Sequence, residues 1–141
     1  MKGVYILVIK LDKDIHVSVG AMGKSTFKKG LYAYVGSAQN NLEKRVSRHL
    51  RKKKHMFWHV DYLLDNDRTK VVEVFHKQAD KKEECTIAKV IGKKGEPIDG
   101  FGSSDCNCKS HLFHIKDYEF LREFMRVLDM QTQPFLRSRN E

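Results

Sequence analysis

The chain has 141 residues, of which 40% are hydrophobic and only two are proline, which excludes a disordered polymer and fits one globular domain with a buried core. Its 27 basic against 18 acidic residues give a formal charge of +9, which points to a polyanionic partner because each phosphate met by Lys or Arg releases a condensed counterion. No run approaches the roughly 18 apolar residues of a membrane helix, and three cysteines are too few and too irregular for a disulfide framework.

The apolar start, Val4 to Ile9, is too short for a signal-peptide core, so a reducing cytoplasm is the expected location. Gly3 to Leu11 is apolar on both faces, the pattern of a strand buried in a sheet. A polar turn at Asp12-Lys13-Asp14 leads to a second strand, Ile15 to Val19, with alternating apolar positions. Residues 20–30, rich in glycine and lysine, read as a loop, and Leu31 to Val35 supplies a third strand. These three strands are expected to form one small antiparallel sheet.

From Asn41 to Lys54 the pattern becomes helical, with Leu42, Val46 and Leu50 on one face and Asn40 or Asn41 available as N-cap. Met56 to Leu64 reads as a helix or a loop leading into one. Val71 to His76 reads as a strand, and Lys81 to Ile91 as a helix stopped by Gly92 and Gly95-Glu96-Pro97. Residues 99–111 form a loop and Leu112 to Ile115 a short strand. Asp117 to Met130 reads as an amphipathic helix capped by Asp117. Residues 1–131 thus make a single domain of the α/β (α+β) class, a small mainly antiparallel sheet flanked by helices, with 132–141 as a polar tail.

Residues 44–55 run KRVSRHLRKKKH, a basic face on which Arg48, Arg51, Lys52, Lys53 and Lys54 can meet phosphates without reading sequence. At 100° per residue, Arg45 and His49 fall at the border of the apolar stripe and point towards the sheet edge. The alternative is that they pack their stems on the core and wet their tips. Glu84 falls in the middle of the stripe made by Ile87, Ala88 and Ile91. An unpaired carboxylate there would cost several kcal/mol, so it needs an arginine, a hydroxyl, a lysine or a metal cation. Tyr5 and Tyr34 lie in buried strands and must find partners for their hydroxyls; Tyr32 shares a face with Tyr34 and competes for the same role. Asp105-Cys106-Asn107-Cys108 with His111 offers three zinc ligands, with Cys85 or His114 as a fourth, but the spacing is not that of a familiar zinc motif. The favoured reading is a loop that lends hydroxyls and N–H groups to a phosphate. His55 and His59 lack an acid at metalloprotease spacing and read as substrate contacts or polar packing.

Gly3-Val4-Tyr5, Tyr34-Val35-Gly36, Arg45 in Leu42-Glu43-Lys44-Arg45-Val46, His49 and Glu84 resemble, in this order, the signature of the GIY-YIG nuclease superfamily. The arginine helix is similar to that of the UvrC N-terminal nuclease domain, where a lysine stands at the position of Ser37. More narrowly, Tyr32 to Ala38, Trp58 to Leu64 and Gly100 to Cys106 resemble a mainly archaeal branch also found fused to endonuclease III-type proteins. The resemblance implies a metal-dependent endonuclease that cuts DNA, in repair or processing, with RNA left open as a partner. Tyr5, Tyr34, Arg45 and His49 would be catalytic and Glu84 would bind one Mg²⁺ or Mn²⁺. Ser37, Arg48, Arg51, Lys52, Lys53, Lys54 and His59 would contact nucleic acid, and zinc at Cys106, Cys108 and His111 is the disfavoured cofactor. The long interval between Tyr5 and Tyr34 implies an inserted hairpin. A non-catalytic nucleic-acid-binding module of the same fold is the alternative.

Overall fold

Seven consecutive buried residues open β1 (Gly3–Leu11), because this strand lies inside a sheet covered on both faces. The computed structural model describes residues 1–51, 56, 58–103 and 108–128. β1 pairs antiparallel with β4 (Gly30–Ala38) on one side and β5 (Thr69–Lys77) on the other. β7 (Leu112–Ile115) and β6 (Glu96–Pro97) extend the sheet beyond β4, and β8 (Arg126–Val127) extends it beyond β5. The six-stranded order is β6-β7-β4-β1-β5-β8, with every pairing antiparallel.

Side-chain alternation along β1 sends Tyr5, Leu7, Ile9 and Leu11 to one core and Val4, Ile6 and Val8 to the other. The first core is covered by α1 (Leu42–Leu50) and α2 (His59–Leu64), which contribute Leu42, Val46, Leu50, Val60 and Leu63. The second is covered by α3 (Lys82–Gly92) through Ile87, Ala88 and Ile91. Asn41 starts α1 by accepting the Lys44 N–H at 3.0 Å, as an N-cap side chain should. The fold is therefore α+β, a small antiparallel sheet flanked by helices.

Two expectations need correction. The three N-terminal strands do not share a sheet: β2 (Ile15–Ser18) pairs with β3 (Lys24–Phe27), inside the segment read as a loop, in a separate two-stranded sheet. Ile15, Val19 and Phe27 bury on the α2 side of the main sheet, so the hairpin is held by packing and not by edge pairing. The amphipathic helix expected over Asp117–Met130 is replaced by a 3₁₀ turn (Glu119–Glu123) and β8. The outer edge of β5 offers unpaired backbone groups, and the chain satisfies them: Phe75 and His76 pair with Val127 and Arg126, and the Leu128 N–H donates to the Val74 carbonyl at 2.8 Å. Leu121 and Met125 still bury against the α3 side, so the apolar spacing was real although the conformation differs. The tail 132–141 lies outside the described residues, and no helix among those described is long and apolar enough to cross a membrane.

Candidate active site

β1 begins where β4 ends, and the register sets Tyr5 opposite Gly36 and Leu7 opposite Tyr34. Both tyrosines face α1. Tyr5 lies across Gly36 so closely that a β-carbon there would fall 2.5 Å from the phenol Cζ and Oη. Gly36→Ala is therefore expected to displace Tyr5 and cost about 1–3 kcal/mol, as overpacking does, measured as a lower urea midpoint. An unchanged midpoint would mean the ring has room to move.

α1 presents His49 to Tyr5, with Oη and Nε2 2.7 Å apart. The other ring nitrogen, Nδ1, lies 3.1 Å from Asp61 on α2. Asp61 is completely buried; its second oxygen accepts from Arg48 at 3.2 Å and from the Trp58 backbone N–H at 3.1 Å, so it also reaches back to cap its own helix. A carboxylate at Nδ1 assigns the proton to that nitrogen and leaves Nε2 to accept from the phenol. Burial lowers the His49 pKa although Asp61 opposes this, so the ring is neutral near pH 7. Burial likewise holds the Tyr5 hydroxyl well above its ordinary value, with the charge and hydrogen bond of Arg45 pulling the other way. Tyr34, raised chiefly by burial and then by Tyr5, packs edge-on to His49 with ring centres 6.2 Å apart. Tyr32 is the tyrosine that drops out: it donates to the Lys28 carbonyl at 2.6 Å and stacks on His114, and burial pushes it up to about 12.

Arg45 and Glu84 reach the site from opposite faces of the sheet. The Arg45 guanidinium donates to the Ser37 carbonyl at 3.1 Å, and the Ser37 hydroxyl donates to Glu84 at 3.2 Å. The second Glu84 oxygen lies 3.2 Å from His111 Nδ1. Lys77, from the neighbouring strand, pairs instead with Glu83 at 3.7 Å. Arg45 and Arg48 both lie over the Trp58 ring, 4.3 and 4.8 Å from its centre. The indole desolvates one side of each guanidinium, and both line the cleft.

These groups bound an open cleft of about 600 Å³ whose wall includes Tyr5, Tyr34, Ser37, Arg45, Arg48, Arg51 and Glu84, with Lys44 and Lys81 beside them. His49 stands behind Tyr5, fully buried. His59, expected to contact nucleic acid or to serve as polar packing, accepts the Gly102 N–H at Nδ1 at 2.9 Å, and its ring packs on Phe101. Lys52, Lys53, Lys54, His55 and Cys106 lie outside the described residues. Cys108 and His111 come together with Cys85, whereas His114 is held away on Tyr32.

Residues 4–132 match the family described as Domain of unknown function DUF123. The chain belongs to this family. No curated protein and no solved structure gives a significant match. For this DUF123 chain the residues themselves must carry the functional argument, and two of them were not singled out from sequence. Asp61 is an acid on the buried face of α2, the same signal that drew attention to Glu84. Trp58 had no comparable signal, since an aromatic in an apolar run reads first as core. A divalent cation fits the donor set at Glu84: one carboxylate and the Ser37 hydroxyl, both hard oxygens at an open cleft, suit an ion that retains several waters.

Proposed function

We propose that this cleft hydrolyses phosphodiester bonds in DNA, the activity of the GIY-YIG nucleases that its residues resemble. The observation that carries the reading is the convergence of Arg45 and Glu84, from opposite faces of the sheet, on the two polar ends of Ser37 beside a buried Tyr5–His49–Asp61 chain. Arg45 neutralises charge developing on the non-bridging phosphate oxygens, where its planar fork matters. Tyr5 is favoured over Tyr34 as the proton-handling phenol because it holds the 2.7 Å bond to His49. Its raised pKa keeps the proton on Oη at rest, so it works as a shuttle. As the attacking water gives a proton to Oη, the phenol's own proton passes to Nε2, and Asp61 steadies the resulting imidazolium. Glu84 and the Ser37 hydroxyl would hold Mg²⁺ or Mn²⁺, whose contribution when bound is Lewis-acid stabilisation of the phosphate charge. Lys44, Arg48, Arg51 and Lys81 line the approach and meet the flanking phosphates. A cytoplasmic role in DNA repair or processing goes with this reading.

The test is plasmid nicking with Mg²⁺ or Mn²⁺. Arg45→Ala is expected to lose about 10²–10³-fold in rate, and Glu84→Ala is expected to lose activity at all accessible metal concentrations. A second reading, a DNA- or RNA-binding module without catalysis, draws on one observation: one Glu84 oxygen already accepts from Ser37 and the other lies 3.2 Å from His111 Nδ1. If wild type and both variants bind DNA with a steep salt dependence and none cuts, the module reading replaces the hydrolase.

A further inference from the structure

Beside the cleft, and unused by the hydrolysis scheme, Cys85, Cys108 and His111 point their donor atoms at one another, all within 4.8 Å. Cys85 rides on α3, one step round from Glu84, while Cys108 and His111 belong to the segment that leads into β7. That segment is fixed by its own backbone. The Gly100 N–H donates to the Lys109 carbonyl at 2.7 Å, the His111 N–H to Phe101 at 2.8 Å, and the Val35 N–H to the His111 carbonyl at 2.8 Å. The buried Ser110 hydroxyl adds bonds to the Leu112 carbonyl and N–H at 2.8 and 2.9 Å. Two of the three donors therefore stand on a rigid strip facing a helix.

We propose that Cys85, Cys108 and His111 bind a zinc ion that ties α3 to the strip before β7. With Zn–S near 2.3 Å and Zn–N near 2.0 Å, tetrahedral ligands lie about 3.5–3.8 Å apart, so the donors need to close in by only about 1 Å. Two thiolates and one imidazole are soft ligands that select zinc over Mg²⁺. Binding releases the two thiol protons, and the pair of thiolates cancels the charge of the ion, so the partly buried site needs no further counter-charge. His111 also lies 3.2 Å from Glu84, so the ion would set the ring beside the proposed catalytic carboxylate.

Zinc content is read without reference to cleavage, so failure of this inference and failure of the hydrolase reading are distinguishable. The untagged full chain, purified from zinc-supplemented cells, is expected to carry about one zinc per molecule by elemental analysis. Cys85→Ser and Cys108→Ser are expected to lose it. Because either variant could fail to fold, a second measurement uses the wild-type chain. After zinc removal by chelation, Co²⁺ is added, and thiolate-to-cobalt charge transfer with the d–d bands of tetrahedral cobalt is expected. Substoichiometric zinc without those bands, zinc retained in a Cys85→Ser/Cys108→Ser double variant, or a Cys85–Cys108 disulfide in the purified chain overturns the site.

Discussion

Asp61→Ala is expected to destabilise the folded chain by about 3–5 kcal/mol, the loss seen when one member of a buried ion pair is removed. The size follows from what the carboxylate satisfies. It is wholly buried and, among the described residues, accepts from His49 Nδ1, the Arg48 guanidinium and the Trp58 N–H. Without it the Arg48 guanidinium and the buried His49 N–H each lose this acceptor, and α2 loses the contact that caps its first turn. The measurement is urea unfolding at constant m-value, with Asp65→Ala at the exposed end of the same helix as control, expected within about 0.5 kcal/mol of wild type. A loss at Asp61 no larger than at Asp65 would mean that water reaches the donors, and the buried chain of polar groups would have to be redrawn.

For Tyr5→Phe the expected effect falls on rate. The ring keeps its place against Gly36 while only Oη leaves, so the cleft retains its shape and nicking falls by about 10²–10⁴-fold, the range of a positioned proton-transfer group. Removing the phenol also takes from buried Nε2 a partner worth about 1–3 kcal/mol, which a melting curve separates from the rate. Tyr34→Phe, without a bond to His49, is expected to lose less. The pH profile supplies a further check. His49 titrates below its ordinary 6.5, so the stability that goes with its neutral ring is complete above that value and is lost as pH falls through the lowered pKa. The acid limb of the rate should follow the same titration, since protonated Nε2 cannot accept from Tyr5. Equal rates for Tyr5→Phe and wild type would dismiss the shuttle outright.

Much of this was visible in the residues, and for definable reasons. β1 could be read because a strand covered on both faces is apolar without interruption, and Glu84 because an acid inside an apolar helical stripe needs an explanation. The same reasoning applied to α2 reaches Asp61, an acid on the buried face of that helix. Tyr34 could not be told from Tyr32 by alternation, since both lie on one face. Only the Lys28 carbonyl and His114 separate them. The C-terminal segment misled because Leu121 and Met125 fit a helical period equally well when a short turn and a strand carry them. What decided its conformation, the bare edge of β5, lies far away in the chain. Ser37, expected to contact nucleic acid, stands on the cleft wall, and its carbonyl and hydroxyl link Arg45 to Glu84, a role that no sequence pattern announces.

The guanidinium of Arg45 hangs from one layer of the molecule and the carboxylate of Glu84 from the other, with a single strand end between them. Neither half of the chain can assemble the couple by itself. A nascent or partly unravelled polypeptide would display its cationic helix while lacking the opposing acid, and could cling to a polyanion without harming it. Competence would then arrive last, as a by-product of both layers closing on the sheet.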